Sequence, residues 1–244
     1  MRLGMFPPGK AARYRRSALI KALLCDIDGT LVESNWLHAA AWQEAFATEG
    51  INVGLEEVRR QIGKGGDELI PVFVPEDRIE AIAEGLKKVR KRIFQEKYLP
   101  QVKPLPMARE FLQRLKDAGI KVSLASSAGK EDLKAYKKIV GMEGLIDEES
   151  SADDADRAKP HPDIFQVTLE KLRISANEAM ALGDTPYDAE AAGKAGLRTI
   201  GVESGGWSEA DLLKAGCTEV YKDVADLMQR IDTSALMCSH SREV

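Results

Sequence analysis

Two aspartates follow an apolar run near the start of the 244-residue chain, separated by one residue. The stretch reads ALLCDIDGTLVESN, so Asp26 and Asp28 come directly after an apolar segment that ends at Cys25. Carboxylates at this spacing repel each other and need a partner of opposite charge. A hard divalent cation such as Mg²⁺ would supply it, because Mg²⁺ prefers oxygen ligands and shares its coordination shell with phosphates.

Three further segments carry side chains suited to the same chemistry. The apolar run of AMALGDTPYD ends in Asp184 and Asp188, and the run of KVSLASSAGK ends in the hydroxyls of Ser126 and Ser127. The loop RAKPHPDIF adds Lys159. Carboxylates can hold a cation, while a hydroxyl and an ammonium can bind phosphate oxygens. This set of groups suits phosphoryl transfer, where catalysis is mostly positioning and charge neutralisation.

The segments that present these side chains alternate between strand and helix patterns from Leu19 to Ile231. Strands alternating with amphipathic helices indicate βαβ units and a parallel sheet. Ligands of such sheets bind beyond the carboxyl ends of the strands. We therefore predict an α/β fold with a Rossmann-like parallel-sheet core, formed by residues 18–34 and 100–232. The predicted strands are LIKALLCDI, KVSLASS, AMALGD, RTIGV and the weaker TEVYK.

Residues 35–99 interrupt this alternation and are predicted to form an inserted helical cap. The segment EDRIEAIAEGLKKVRKRIFQEKYL repeats apolar residues at spacings of three and four, as a helix packed on a neighbour does. Its basic run from Lys87 to Arg92 is interpreted as the solvated face of that helix. A helical insertion directly after the first strand is expected to cover whatever that strand presents.

The composition limits the classes of protein to which the chain can belong. The chain is 44% hydrophobic and 30% charged, which is enough for a buried core, and no apolar run approaches the roughly 20 residues of a membrane helix. Residues 1–17 and 233–244 are expected to be disordered ends, the first of them basic. Three cysteines without metal-ligand spacing fit a reducing compartment. We predict a cytoplasmic monomer or weak dimer that binds neither nucleic acid nor membrane.

The order of the motifs adds a family resemblance. DIDGTLV, LASS, KPHPDIF and GDTPYD follow one another along the chain. They resemble the four motifs of the haloacid dehalogenase-like superfamily, in its phosphatase branch with a small helical cap after the first motif. The resemblance extends from about Ile20 to Ile231. It implies a Mg²⁺-dependent enzyme that acts on a small phosphorylated metabolite, with phosphoglycolate or a sugar phosphate as natural substrates.

Carried over to this sequence, the resemblance implies a role for each motif residue. Asp26 matches a nucleophile that forms an aspartyl-phosphate, and Asp28 matches the general acid that protonates the leaving oxygen and later activates water. Ser126 and Lys159 match the groups that hold the transferring phosphoryl. An acid at residue 28 argues against halide displacement, since the dehalogenases of this superfamily carry none there.

The implied metal ligands come from two motifs. Asp184 matches the Mg²⁺ ligand of the fourth motif, beside Asp26 and the backbone carbonyl of Asp28. Asp188 matches the second acid of the fourth motif and acts either through water or by orienting Lys159.

Substrate contacts are predicted around these groups. Gly29 and Thr30 follow the first motif's acids, and Ser127 is an alternative to Ser126 as the phosphate ligand. His38 on the first cap helix is predicted either to contact substrate or to be a packed structural histidine. The loop IGKGGDE is interpreted as a cap loop facing the site, where Gly63, Lys64 and Gly66 could touch substrate.

Two alternatives to a phosphatase remain open at this point. The first is a β-phosphoglucomutase-like sugar-phosphate mutase, since proteins of that kind carry a cap histidine at the place of His38. They also carry a lysine and an arginine where this chain has Gly63 and Asp67, and Asp67 is expected to repel a second phosphate, which favours hydrolysis. The second alternative is a phosphate-binding regulatory protein without activity, against which the four intact motifs argue.

Overall fold

Six parallel strands form the central sheet of the computed structural model, which describes residues 19–238. The predicted disorder of residues 1–17 therefore lies outside the described residues. A separate two-stranded antiparallel sheet joins β2 to β3. In chain order the strands are β1 (Ala22–Cys25), β2 (Val32–Glu33), β3 (Lys103–Pro104), β4 (Lys121–Ala125), β5 (Glu148–Ser150), β6 (Ala179–Gly183), β7 (Arg198–Val202) and β8 (Cys217–Tyr221).

The order of the main sheet is β5-β4-β1-β6-β7-β8. If the six strands are numbered along the chain, their order in the sheet is 3-2-1-4-5-6, as in a Rossmann fold. Successive strands are added on one side of the first strand and then on the other, so the strand order reverses beside it. The predicted α/β fold class is thereby confirmed. The five predicted strands are all present, whereas β5 was missed because two of its three residues are glutamates at the sheet edge.

Eleven α-helices are assigned within the described residues. They are α1 (Asn35–Thr48), α2 (Leu55–Arg59), α3 (Gly66–Phe73), α4 (Glu76–Ile93), α5 (Ala108–Asp117), α6 (Lys130–Val140), α7 (Asp163–Leu172), α8 (Pro186–Lys194), α9 (Glu209–Ala215), α10 (Val224–Gln229) and α11 (Ala235–Cys238). The first four lie in the segment between β2 and β3, and a π-helical turn, Phe94–Tyr98, extends α4.

Both faces of the sheet are covered, which explains the apolar character of its strands. Leu23 and Cys25 of β1 pack on one side, in the cluster that contains Phe111 of α5. Ala22 and Leu24, at the alternate positions, pack on the other side against α7 and α8. All four residues of β1 are fully buried, so this strand forms a rigid base for the aspartates that follow it.

The helices of residues 35–99 have a hydrophobic cluster of their own. Trp42 and Phe46 of α1 pack there with Leu86 of α4 and with Leu69 and Ile70 of α3. The pairing of β2 with β3 closes the base of this insertion, because the two strands directly flank it in sequence. The exact division into domains at residues 34 and 100 stays a prediction.

The expectation of disorder from residue 233 onward is wrong for the residues that the structure describes. Helix α11 follows a short turn there, and Leu236 is completely buried in the main core. The backbone N–H of Ala235 donates to the carboxylate of Glu219 on β8. A single short apolar run has no periodicity from which such docking can be read.

The packing of α5 on the sheet yields a stability prediction. Replacing the fully buried Phe111 by alanine removes a large apolar side chain and leaves a cavity, so we expect Phe111→Ala to lower the free energy of unfolding by about 3–5 kcal/mol. Urea denaturation measures the change. Glu110→Ala, at an exposed position of the same helix, is the control and should shift it by less than about 0.5 kcal/mol. Equal effects of the two substitutions would contradict the packing described here.

Candidate active site

The site lies where the strand order reverses, at the carboxyl ends of β1 and β6. Asp26 directly follows β1, and its backbone N–H donates to the carbonyl of Leu182 on β6 at 2.8 Å. Asp184 directly follows β6. Parallel pairing of the two strands therefore brings together acids that are 158 positions apart in sequence. Asp26, Asp184 and Asp188 each place a carboxylate oxygen within 4.8 Å of the others, and all three are buried.

The ammonium group of Lys159 forms ion pairs with two acids of this cluster. Lys159 Nζ lies 2.6 Å from Asp26 Oδ1 and 2.7 Å from Asp188 Oδ1, and the lysine side chain is 1% exposed. Burial favours the neutral form of a lysine, but the two carboxylates outweigh it and raise the pKa of Lys159 above its ordinary value. The lysine therefore remains charged at neutral pH.

The cluster nevertheless carries an excess of negative charge. Burial raises the pKa of Asp26 to about 8; Lys159 lowers it, while Asp188 and Asp28 add to the rise. Burial also raises the pKa of Asp184 well above its ordinary value, and Asp188 and Asp26 add to that rise. Three buried carboxylates facing one ammonium can be fully ionised only with more positive charge. Oxygen ligands in this number fit a hard divalent cation, so the residues present suit Mg²⁺.

Asp184 is fixed by donors from two other segments. Thr30 Oγ1 donates to Asp184 Oδ1 at 3.1 Å, and Asn35 Nδ2 donates to Asp184 Oδ2 at 2.8 Å. Gly29 beside them has φ +74°, and a Cβ there would lie 2.3 Å from Asp184 Oδ2. Any other residue would therefore be strained and would displace the carboxylate. Thr30 and Gly29 thus support the acid, and Asn35, the first residue of α1, was missed because no motif marks it.

Asp188 is held at the start of α8. Its Oδ2 accepts hydrogen bonds from the backbone N–H and the hydroxyl of Thr185, at 3.1 and 2.6 Å, in a helix-capping arrangement. Its other oxygen faces Lys159. These contacts support the role of orienting Lys159, one of the two that the sequence left open. The role of Asp188 stays a prediction, since its carboxylate also belongs to the cluster that could hold a metal.

The Asp28 carboxylate lies apart from the three clustered acids. Ser34 Oγ donates to Asp28 Oδ1 at 2.5 Å, and His38 Nε2 lies 2.9 Å from the same oxygen. Burial alone would raise its pKa, but His38, Ser34 and the Tyr136 hydroxyl stabilise the carboxylate and bring the pKa to about 2. The side chain of Asp28 is thus not part of the candidate metal cluster, and metal binding through its backbone carbonyl stays a prediction.

His38 is packed, as one of its two sequence-based interpretations held, while its contact with substrate stays a prediction. Its ring stacks on Phe94 with centroids 3.9 Å apart, and Nε2 also lies 3.0 Å from the Tyr136 hydroxyl. It is 7% exposed. The same side chain lines a chamber of about 40 Å³ together with Asp26 and Asp28. A histidine of the inserted segment is therefore both packed and in contact with an acid of the core.

The two serines after β4 point in different directions. Ser126 is fully buried, and its Oγ accepts the backbone N–H of Ala128 at 3.1 Å. Ser127 Oγ donates to the carbonyl of Gly63 at 3.3 Å, across the boundary between core and insertion. Ser127 lines the small chamber and also a larger cleft of about 310 Å³, whereas Ser126 lines the larger cleft only.

The loop before α3 faces the site, but its lysine is already engaged. Lys64 lines the small chamber, while its Nζ donates to Gln61 Oε1 at 2.7 Å and lies 4.8 Å from the centre of the Tyr187 ring. Gly63 approaches Thr185 closely, since a Cβ there would meet its side chain at 2.9 Å. Gly66 lines the larger cleft.

The basic run of α4 is not uniformly solvated, contrary to the sequence interpretation. Lys88 and Arg92 are exposed, whereas Lys87 and Arg90 line the larger cleft between the insertion and the core. Lys87 Nζ pairs with Asp67 Oδ1 at 2.5 Å. The expected repulsion of a second phosphate by Asp67 is accordingly weakened by a neighbouring cation. Helical periodicity locates the packed seam, but it does not show which flanking face meets another part of the chain.

Another arginine that the sequence did not single out joins the insertion to the core. Arg59 of α2 is 6% exposed, and its guanidinium donates to the carbonyl of Gly205 at 2.8 Å. Gly205 itself abuts Asp184, because a Cβ there would lie 1.8 Å from Asp184 Oδ2. Nearby, the Tyr187 hydroxyl donates to the carbonyl of Arg60 at 2.7 Å. These contacts hold the insertion over the acidic cluster.

Comparisons with known proteins show which family the chain resembles. The family model described as haloacid dehalogenase-like hydrolase matches residues 23–202. A protein of Caldanaerobacter subterraneus subsp. tengcongensis, provisionally named pyrophosphatase PpaX, is 31% identical over 191 residues, 78% of this chain and 83% of the relative. The phosphorylated carbohydrates phosphatase of Thermotoga maritima is 27% identical over 207 residues, 83% of this chain and 94% of the relative.

The fold comparison leads to the same family. The crystal structure of a hydrolase from Pseudomonas syringae superposes with a TM-score of 0.76 at 28% identity, over 88% of this chain and 99% of that one. The family match covers more than half of the chain and includes the strands that carry the clustered acids. The resemblance stated from the four motifs is confirmed: the chain belongs to the haloacid dehalogenase-like hydrolases and is an enzyme of that family.

Proposed function

We propose that the chain is a Mg²⁺-dependent phosphatase that hydrolyses a small phosphorylated metabolite through an aspartyl-phosphate. The observation that carries this proposal is the contrast between two neighbouring acids. Asp26 lies in a buried cluster with Lys159 and Asp184, whereas Asp28 is turned away and bonded to His38. This contrast supports attack by Asp26 and proton transfer by Asp28. The phosphatase names of the relatives support the reaction class.

In the first step Asp26 attacks phosphorus while the ester oxygen leaves with a proton from Asp28. In the second step Asp28 takes a proton from water, which attacks phosphorus and frees Asp26. Splitting the hydrolysis in this way replaces one slow step with two faster ones. A phosphoryl dianion beside Asp28 adds negative charge, which raises the pKa of that carboxyl and favours the protonated form that the first step needs.

Charge neutralisation is divided between protein groups and the cation. Lys159 is already at the nucleophile and can contact the phosphoryl oxygens, with the hydroxyl of Ser126 or Ser127 as a further donor. Asp26, Asp184 and the backbone carbonyl of Asp28 would hold Mg²⁺, with Asp188 orienting Lys159. When bound, Mg²⁺ would supply positive charge to the phosphoryl oxygens and to the acidic cluster.

The surroundings of the site favour a small substrate. The cleft that Lys159 and Ser126 line measures about 310 Å³, at the lower end of the range for small-molecule sites. Phosphoglycolate and sugar phosphates are the proposed substrate types, and the name of the Thermotoga maritima relative supports the second. Among the described residues no helix has the length and apolarity to span a membrane. We also propose a cytoplasmic location, to which the free cysteines Cys25 and Cys217 are suited.

The nucleophile assignment predicts the effect of a near-isosteric change. Asp26→Asn should abolish phosphate release from an aryl phosphate in the presence of Mg²⁺, because an amide cannot attack phosphorus, while the thermal unfolding temperature changes little. Asp117→Asn, at an exposed position, is the matched control and should retain the parent rate. Turnover by Asp26→Asn close to that of the parent would exclude the covalent mechanism. No release by the parent across a broad panel of phosphomonoesters would favour a regulatory phosphate-binding protein.

The metal assignment predicts the response of the cation affinity. Asp184→Ala removes one of the few protein oxygens available to Mg²⁺, so we expect the Mg²⁺ dissociation constant to rise at least about tenfold. Isothermal titration calorimetry with MgCl₂ measures this without reference to activity, and the same titration of Asp117→Ala gives the control. Superimposable titrations of parent and Asp184→Ala would remove Asp184 from the ligand set. EDTA should silence the parent enzyme reversibly.

The contact of His38 with Asp28 keeps a β-phosphoglucomutase-like mutase as the second candidate. A mutase must hold a sugar bisphosphate through two transfers while water is excluded. Lys64, the cation of the loop over the chamber, donates to Gln61 and lies over the Tyr187 ring instead. We therefore expect β-glucose 1-phosphate, with catalytic bisphosphate, to yield free phosphate faster than glucose 6-phosphate. The reverse order of the two rates, followed in coupled assays, would replace the hydrolase assignment by the mutase.

A further inference from the structure

Arg90 of α4 lines the cleft and has a buried nitrogen without a hydrogen-bond partner in the described part of the chain. Its guanidinium lies 5.1 Å from the centre of the Trp42 ring, and the residue lines both the 40 Å³ chamber and the 310 Å³ cleft. Its Nε is a buried donor that has no hydrogen-bond partner among the residues described. Leaving a buried donor of a charged group unpaired costs free energy, so such a group in a cleft is poised for a ligand.

The neighbouring cations of the cleft differ from Arg90 because each has its own carboxylate. Lys87 pairs with Asp67 at 2.5 Å, Lys91 with Glu131 at 2.7 Å, and Arg157 with Asp163 at 3.2 Å. No ion pair of this kind is formed by Arg90 within residues 19–238, although Asp132, Tyr136 and Asp28 are close enough to act on it electrostatically. Asp132 instead accepts a hydrogen bond from Gln95 at 3.2 Å.

The position of Arg90 near Asp28 indicates which part of a substrate Arg90 could bind. Asp28 protonates the leaving oxygen in the proposed mechanism, so the leaving group must extend from the phosphoryl site past Asp28. Arg90 lines the same small chamber as Asp28 and lies on the inserted helices that cover it. The flat face of Trp42 lies beside the guanidinium and restricts its movement. A planar, fixed guanidinium is suited to an oxyanion, to which it can donate two hydrogen bonds.

We propose that Arg90 determines substrate specificity by binding a second anionic group on the leaving portion of the phosphomonoester. The substrate class is therefore a phosphomonoester whose alcohol carries a carboxylate or another oxyanion a few bonds from the ester oxygen. This inference rests on the proposed function for the direction of the leaving group. Arg90 lies outside the four motifs.

Two matched pairs of esters test the proposal at two chain lengths. Phosphoglycolate differs from 2-hydroxyethyl phosphate, and 3-phosphoglycerate from glycerol 3-phosphate, in having a carboxylate where the other has a hydroxymethyl group. We expect the parent to prefer the carboxylate member of at least one pair in kcat/KM. Arg90→Gln should lower that preference ratio about 10- to 100-fold, the range for hydrogen bonds to charged groups. Arg90→Lys should retain part of it.

The control is Lys88→Gln, which removes a charge from an exposed position of the same helix and should leave the ratio unchanged. An Arg90→Gln protein that loses activity equally on both members of each pair would overturn the proposal, as would a parent without preference in either pair. Circular dichroism melting checks that the variants fold, and Arg90→Lys provides the measurement if Arg90→Gln does not.

A binding measurement separates this inference from the proposed function. The Asp26→Asn protein and its Arg90→Gln double variant are titrated with the same four esters in the presence of Mg²⁺. Weaker binding of the carboxylate esters alone by the double variant supports the role of Arg90 even if the parent releases no phosphate. If both proteins bind the carboxylate esters with equal affinity, or if neither binds a carboxylate ester, the proposed role of Arg90 is wrong. If the parent binds the esters but does not hydrolyse them, the result would contradict the proposed phosphatase activity and not the role of Arg90.

Discussion

The imbalance of charge at the carboxyl end of β1 is the constraint on which the rest of the structure depends. Asp26, Asp184 and Asp188 lie within 4.8 Å of one another in a buried position, and Lys159 is the ammonium that touches two of them. An arrangement of this kind is unstable unless every oxygen is oriented and the remaining charge is compensated. The strand reversal, the helix cap that holds Asp188 and the close approach of glycine backbone to Asp184 all serve that orientation.

Two acids separated by one residue experience opposite environments. Asp26 belongs to the acid cluster, where burial raises its pKa to about 8. The pKa of Asp28 is about 2: burial opposes the shift, but contacts with His38, Ser34 and Tyr136 outweigh it. Environments that push neighbouring pKa values apart are how one site obtains groups for different roles. In the proposed reaction a bound cation would favour the ionised form of Asp26, which attacks. A bound phosphoryl group would favour the protonated form of Asp28, which donates the proton.

The inserted helices contribute more than a cover. Asn35 donates to Asp184, His38 contacts Asp28, and Arg59 reaches the carbonyl of Gly205 beside Asp184. The acid cluster of the core is thus completed by side chains from a segment that has its own hydrophobic centre. A segment packed in this way can vary its inward-facing residues, such as Arg90, without disturbing the sheet. In the proposed reaction the core supplies the nucleophile, while the inserted helices supply contacts to the acids and, through Arg90, the proposed contact to the leaving group.

The fold class and the acids of the cluster could be predicted from the amino-acid sequence, because both leave local signatures. Apolar runs that end in polar residues identify strand ends in a parallel sheet, and the helical interval after β1 stands out against the alternation. The prediction of a hydrolase of this family followed from the same motifs and is confirmed. Short elements without such signatures escaped it, as β5 and α11 show.

The contacts between side chains of distant segments depend on the tertiary structure. Helical spacing separates Arg90, four residues after the buried Leu86, from the exposed Lys88, but only the packing of α4 against the core shows that this side of the helix lines the cleft. Asn35 and Arg59 likewise gain their partners from segments roughly 150 positions away. The separate environments of Asp26 and Asp28 also arise from such contacts. Periodicity and motif order record what a segment buries or where it ends, whereas a contact between distant segments is set by how the chain folds back on itself.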